Sequence, residues 1–255
     1  MEHWHMLMII CPLVFLAGFV DSIAGGGGLI SLPAYLLVGL PAHMAAGTNK
    51  VVSSIGTSAS AFKYMKSGKV KLDIALFAAV GALAGGGLGS YFVVGWVSDS
   101  VLKTLMLIAL PAVAVFLAVK RDFGKEPELR EMSKTRTRAL SVLIGFGIGC
   151  YDGVVGPGTG TFMIMAFTAV LGLDLLTSSG CAKVSNLASN VASSVVFLAH
   201  GQVLLPVVAP AAVCCMAGHY LGARYAVRGG SGKVRAMIYV VLALLFARTI
   251  AEIVM

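Results

Sequence analysis

Residues 47–58 of the chain read GTNKVVSSIGTS, and residues 180–191 read GCAKVSNLASNV. Gly47 and Lys50 thus return 133 residues later as Gly180 and Lys183. The same spacing gives six further residues of the first copy an identical counterpart in the second: Gly68, Val70, Leu72, Gly85, Leu88 and Gly89. The chain is therefore a tandem duplication, and its fold should consist of two similar halves.

A second repeated stretch lies upstream of each lysine. Residues 18–28 read GFVDSIAGGGG, and Asp21 returns after 131 residues as Asp152, so the second copy carries a two-residue insertion. Each aspartate is followed by a glycine-rich break. The glycines of the two breaks are Gly25, Gly26, Gly27 and Gly28 in the first copy, and Gly156, Gly158 and Gly160 in the second.

The composition places these charges inside a membrane. Of the 255 residues, 58% are hydrophobic and only 12% are charged, whereas soluble domains average about 25% charged residues. Long apolar runs recur along the whole sequence, so we predict an all-α polytopic membrane protein. A lysine and an aspartate within apolar sequence are costly, and their duplication suggests one central site built by both halves.

Ten apolar segments are predicted, five in each copy. They form a first transmembrane repeat over 1–119 and a second over 139–255, joined by a basic linker over 120–138, in one integrated domain. The segments are 6–24, 28–40, 47–62, 72–95, 101–119, 139–155, 160–172, 179–199, 204–223 and 234–254.

The basic residues predict the topology. Fifteen of the 19 lysines and arginines lie in three clusters, at 63–71, 120–138 and 224–235. Such clusters are typical of cytoplasmic loops, so they do not indicate nucleic-acid binding. The turns at 96–100 and 200–202 contain no lysine or arginine and are predicted to lie outside.

Equivalent positions then fall on opposite sides of the membrane. Gly68 lies in a cytoplasmic cluster, and its counterpart Gly201 lies in an outside turn. The two copies are therefore predicted to be inverted-topology repeats, which are typical of secondary transporters. Both termini are predicted to be outside.

Two of the segments are too short to span the membrane. At about 1.5 Å per residue, 28–40 and 160–172 reach roughly 20 Å, against a hydrocarbon core of about 30 Å. Short segments at matching positions after glycine-rich breaks indicate a binding site. The alternative is that these glycines only allow close packing or a tight turn.

The helices that carry the lysines are the most polar ones. Residues three, four and seven positions after each lysine share its helix face, and several of them have hydroxyl or amide groups. A buried ammonium needs a counter-charge, which a substrate anion could supply; the alternative is a lysine that snorkels to the interface. The predicted substrate-binding residues are Thr48, Asn49, Lys50, Ser53, Thr57, Lys183, Asn186 and Asn190.

The aspartates and histidines allow several interpretations. Asp21 and Asp152 could carry coupling protons, neutralise a site lysine, or cap a short helix. His43, in the connection after Pro41, and His219 have no histidine at the repeat-related position, and we expect both to be structural.

The stretch 18–28, followed by Leu32-Pro33 and by residues 47–50, resembles the sulfite exporter TauE/SafE family, also called the toluene sulfonate uptake permease family. The resemblance covers essentially the whole chain. It implies a transporter of the bacterial cytoplasmic (inner) membrane for small sulfur-containing anions such as sulfite, sulfonates or sulfoacetate. It also implies coupling to an ion gradient, with protons or sodium as the coupling ion.

Other function classes remain as alternatives. An anion channel could use the same residues, and a membrane-embedded enzyme is the weaker alternative because no catalytic motif is found. No metal site or cofactor is predicted from the residue pattern. The lipid bilayer is an expected partner, and a homodimer is compatible with the sequence.

Overall fold

The structure, a computed structural model, describes the backbone of residues 3–119 and 132–254 and the side chains of residues 4–109 and 132–240. Within these ranges every regular element is a helix. The helices are α1 His3–Ala24, α2 Gly28–Leu37, α3 Ala42–Lys66, α4 Leu72–Trp96, α5 Asp99–Val119, α6 Lys134–Val154, α7 Thr159–Leu171, α8 Leu175–Ala199 and α9 Leu205–Val254.

The two short helices are confirmed at the predicted places. Helix α2 has 10 residues and α7 has 13. Each follows a glycine with positive φ, Gly25 at +83° and Gly156 at +91°. Because L-residues with a side chain rarely adopt this conformation, these two glycines end α1 and α6 and redirect the chain at equivalent points.

Three predicted boundaries are wrong. Helix α6 begins at Lys134, inside the predicted linker, because Ser133 caps it by accepting a hydrogen bond from the amide of Arg136 at 3.3 Å. Residues 120–131 of that linker lie outside the described residues. Helix α3 begins at Ala42 after Pro41, so His43 lies in its first turn and not in a connection.

The third difference concerns the last two predicted segments. Helix α9 continues through the basic cluster at 224–235, where a loop was expected, and its only non-helical residue is Gly230, with φ 68° and ψ −168°. A single glycine with positive φ changes the chain direction without a loop. This kink corresponds to the two-residue connection between α4 and α5 in the first copy.

The distribution of side chains is that of a membrane protein. Large apolar residues cover the outside, with Leu76, Val80 and Leu88 of α4 each more than half exposed. By contrast, Lys50 and Lys183 and the asparagines of α3 and α8 are buried. Three helices of the described chain are long and apolar enough to cross a membrane, namely Trp4–Ala24, Leu72–Trp96 and Leu205–Val240.

The two copies pack into each other reciprocally. Helix α1 packs on α9, and its counterpart α6 packs on α4. Glycines make both contacts close: a side chain at Gly85 would clash with the Phe146 carbonyl of α6, and one at its counterpart Gly218 with the Phe15 carbonyl of α1. These small-residue helix contacts bring the polar faces of α3 and α8 to the centre.

Candidate functional site: two crossed ion pairs at the helix breaks

The two glycine-rich breaks touch each other at the centre of the molecule. The amide of Thr161 donates to the carbonyl of Gly25 at 3.3 Å, and its hydroxyl donates to the carbonyl of Ala24 at 2.8 Å. A Cβ at Gly160 would lie 2.6 Å from the Cα of Gly25. The start of α7 therefore rests directly on the break that precedes α2.

Each lysine pairs with the aspartate of the other copy. Lys50 Nζ lies 2.7 Å from Asp152 Oδ1, and Lys183 Nζ lies 2.6 Å from Asp21 Oδ2. The side chains of both pairs are between 0 and 14% exposed. We call these the crossed ion pairs, because each joins the aspartate before one break to the lysine of the opposite half.

The pairing bears on the alternative roles of these residues. Both lysines end on buried carboxylates, so neither snorkels to the interface. Asp21 and Asp152 neutralise lysines, and Asp21 Oδ1 also accepts a hydrogen bond from the Gly27 amide at 3.1 Å, just before α2. Asp21 therefore contacts both a lysine and the backbone just before α2.

The aspartates differ in their remaining partners. Asp152 accepts hydrogen bonds from the hydroxyl groups of Thr159 at 2.8 Å and Ser189 at 2.6 Å. Asp21 instead faces His219, whose Nε2 lies 3.8 Å from Oδ2. One carboxylate is thus held by hydroxyl groups, and the other lies beside an imidazole.

His219, for which the sequence predicts only a structural role, lies in the site. Its ring is 2% exposed, and Nδ1 lies 3.1 Å from the hydroxyl oxygen of Ser60. The position related to His219 by the 133-residue spacing is Gly86. A titratable side chain that replaces a glycine in a duplicated apolar helix was the signal that could have identified it.

A cavity opens between the two pairs. Its wall includes most predicted site residues but not all of them. Three of the predicted substrate-binding residues do not line it. The hydroxyl oxygen of Thr48 accepts a hydrogen bond from the Leu204 amide at 2.9 Å. Thr57 is buried, and Lys183 is paired with Asp21. The polar side chains on the wall are Asp21, Ser31, Asn49, Lys50, Ser53, Asp152, Thr159, Asn186, Asn190 and His219.

The charges around this cavity balance. Two carboxylates and one ammonium lie on the wall, and the ammonium of Lys183 completes the second pair. The amide groups of Asn186 and Asn190 are linked by a hydrogen bond of 3.2 Å and leave further donors directed toward the cavity. The arrangement can bind a small polar ligand by exchanging partners within the ion pairs.

A helical molecule with an apolar exterior, broken helices and buried ion pairs around a central cavity has the features of a membrane transporter. The model of the sulfite exporter TauE/SafE family matches residues 10–249. The chain belongs to this family.

Similar proteins have been described in several bacteria. A probable membrane transporter protein of Sinorhizobium is 34% identical, over 98% of this chain and 94% of its own length. Another from Haemophilus influenzae is 30% identical, over 97% and 95% of the two lengths. The probable membrane transporter protein YdhB of Bacillus subtilis is 25% identical, over 86% and 89%. No solved structure gives a significant match.

Proposed function

We propose that the protein is a secondary transporter that moves small sulfur-containing anions, such as sulfite, sulfonates or sulfoacetate, across the bacterial cytoplasmic membrane. Transport occurs by alternating access and is coupled to an ion gradient. The observation that carries the proposal is the pair of crossed ion pairs at the two helix breaks. Family membership supports the substrate class.

Lys50 is the direct anion ligand in this proposal. Its ammonium lies on the cavity wall, and an oxyanion can replace Asp152 as its partner through charge-assisted hydrogen bonds, which are about twice as strong as neutral ones. Asn49, Asn186 and Asn190 supply neutral donors nearby. Lys183 contributes through Asp21, which shields it from the cavity, and contacts substrate directly only if that pair opens.

Reciprocal packing supports alternating access. Each half inserts its first helix against the other half, and the ion pairs cross the same boundary. A tilt of one half against the other would therefore rearrange both pairs together. The loop at Gly68 is rich in lysine, whereas the repeat-related turn at Gly201 has none. This difference supports inverted repeats with both termini outside.

Uptake of ³⁵S-sulfite into proteoliposomes tests this function. The wild-type protein should accumulate sulfite above its external concentration when an ion gradient is imposed. Lys50→Met should lower the rate about 10- to 100-fold, since one charge-assisted hydrogen bond is worth about 1.5–3 kcal/mol. Lys66→Met, an exposed lysine on the same helix, is the matched control and should leave transport intact.

Two outcomes would favour the other function classes. Sulfite flux that never exceeds equilibrium under any imposed gradient would identify an anion channel. Chemical conversion of sulfite without vectorial movement would identify an enzyme. Equal rates for wild type and Lys50→Met would refute the proposed binding site.

A further inference from the structure

The charge balance of the site has a consequence for anion binding. Two lysines and two aspartates give no net charge, provided that His219 is neutral. An incoming anion would therefore add an uncompensated negative charge beside two carboxylates in a buried site, which is strongly unfavourable. If an anion is the substrate, as proposed above, one further positive charge has to enter with it.

His219 is the group that can accept this charge. The hydroxyl oxygen of Ser60 lies 2.9 Å from the carbonyl of Thr57 and 3.1 Å from Nδ1 of His219. With the hydroxyl proton donated to the carbonyl, the Ser60 oxygen accepts from Nδ1. In neutral histidine the other nitrogen then carries a lone pair. That nitrogen, Nε2, faces Asp21 Oδ2 at 3.8 Å.

The other titratable groups around His219 are already engaged. Helix α8 contributes Lys183, which is paired with Asp21. Helix α3 contributes Tyr64, whose hydroxyl donates to the carbonyl of Ser22 at 2.9 Å. Cys215 lies one turn earlier on α9 and is buried. Histidine is the side chain in this group whose ordinary titration range includes physiological pH.

We propose that the coupling ion is a proton and that the Asp21–His219 pair binds it together with the substrate anion. The proton binds to Nε2, and the imidazolium then donates to Asp21 Oδ2, the same oxygen that Lys183 contacts. The site gains one positive charge, which a monoanion neutralises. Because linkage is reciprocal, proton binding strengthens anion binding and anion binding strengthens proton binding.

The other half of the site explains why one proton binds for each anion. The carboxylate of Asp152 contacts the hydroxyl groups of Thr159 and Ser189 in addition to the ammonium of Lys50. The residue that corresponds to His219 in the other half is Gly86, which packs against Ser189. The cavity wall thus contains one histidine.

Isothermal titration of the purified full-length protein with methanesulfonate tests the proposal. Titrations in buffers with different ionisation enthalpies give the number of protons bound, and we expect about one proton taken up for each anion. Above the midpoint of the His219 titration, the affinity should fall about tenfold per pH unit. His219→Gln should abolish both the proton uptake and this slope, whereas His200→Gln, at an exposed histidine, should retain them.

Several results would overturn the proposal. One is binding of methanesulfonate without proton uptake, and another is proton uptake that persists in His219→Gln. A binding affinity that depends on sodium but not on pH would also overturn it.

A second measurement separates this inference from the proposed function. NMR of ¹⁵N-histidine-labelled protein, with the His219 signal assigned from its loss in His219→Gln, needs no substrate. The signal should change with pH, and the midpoint of this change should differ in Asp21→Asn and not in Asp152→Asn. Absence of this titration refutes the proton site, whereas titration without any binding of methanesulfonate or sulfite refutes the proposed substrate class.

Discussion

The two crossed ion pairs have nearly the same geometry and different surroundings. Lys50 and Asp152 are 2.7 Å apart, and Lys183 and Asp21 are 2.6 Å apart. The first pair lines the cavity and is supported by two hydroxyl groups. In the second pair the lysine is fully buried, and the aspartate faces a histidine.

Exchanged glycines explain how one duplicated framework holds both arrangements. Gly86 on α4 makes room for Ser189 on α8, and a Cβ there would lie 2.8 Å from the Ser189 carbonyl. At the related contact Gly56 on α3 makes room for His219 on α9, where a Cβ would lie 2.8 Å from the imidazole ring. The duplication thus preserves the ion pairs, while single positions give the halves different chemistry.

Removal of the lysines should separate the two pairs most clearly. Lys183→Met leaves Asp21 buried with one backbone amide as its remaining close partner, and we expect a loss of about 3–5 kcal/mol in the free energy of unfolding. Lys50→Met leaves Asp152 with two hydroxyl donors, so the loss should be smaller, at about 1–3 kcal/mol. Denaturant unfolding in detergent, followed by tryptophan fluorescence, measures both.

The double variant Lys183→Met/Asp21→Asn is the control for this comparison. It removes the unpaired carboxylate and should recover most of the loss caused by Lys183→Met. Equal losses for the two lysine variants would contradict the difference drawn here between the pairs.

The two break glycines should also differ. Gly156→Ala places an alanine at positive φ, which costs about 1–2 kcal/mol, but its Cβ meets no atom closer than 3.6 Å. Gly25→Ala has the same conformational cost and in addition places a Cβ against the backbone of Gly160 and Thr161. This overpacking should lower the free energy of unfolding by roughly a further 1–3 kcal/mol. Similar unfolding midpoints for the two variants would show that the breaks do not pack as described.

The hydroxyl groups on Asp152 allow a finer test within the first pair. Thr159→Val removes one hydrogen-bond donor from the carboxylate of Asp152 and should lower the free energy of unfolding by about 1–3 kcal/mol. Thr57→Val is the matched control, because the buried hydroxyl of Thr57 has no hydrogen-bond partner and its removal should be neutral or slightly stabilising. Thermal unfolding in detergent distinguishes the two, and a Thr57→Val loss as large as that of Thr159→Val would contradict the assignment.

The smallest effect is expected outside the membrane-spanning segments, at Asp99, the first residue of α5. Partial burial alone would raise the pKa of Asp99, but hydrogen bonds from the amides of His43 and Ala42 and from the His43 ring lower it overall. In the second copy the amide of Leu176, the counterpart of His43, donates instead to Asp174 at 3.0 Å and to Ser231 at 3.3 Å.

The sign of the pH dependence follows from that lowered pKa. The Asp99 contribution is present above the unfolded pKa of about 3.9 and is lost as the pH falls through the lower folded value. Because the side chain is 47% exposed, the contribution should be about 1 kcal/mol at most. The melting temperatures of wild type and Asp99→Asn should therefore differ at pH 7 and converge as the pH falls through the folded-state pKa of Asp99; a constant difference would contradict this.

Repetition made much of the site predictable. A lysine or an aspartate in apolar sequence is rare, and its return at a fixed spacing identifies Lys50, Lys183, Asp21 and Asp152 from the sequence alone. The glycine runs predicted both short helices. These features are local in the sequence, so a single pattern reveals them twice.

The contacts between the halves could not be predicted in the same way. Lys183 and Asp21 are 162 residues apart, and only the reciprocal packing of helices decides which aspartate each lysine meets. That His219 lines the cavity was not predicted because it has no repeated counterpart, and Gly230 replaced a loop because one glycine suffices for the turn. The residues that differ between the halves, and the contacts between them, therefore could not be predicted from the repeat.

The most direct test of the central claim is the position of a bound anion. A structure with 2-bromoethanesulfonate, located by the anomalous signal of its bromine, should show the sulfonate in the cavity with an oxygen about 2.7–2.9 Å from Lys50 Nζ and with Asp152 displaced from that ammonium. A sulfonate bound elsewhere while the Lys50–Asp152 pair remains intact would contradict the account.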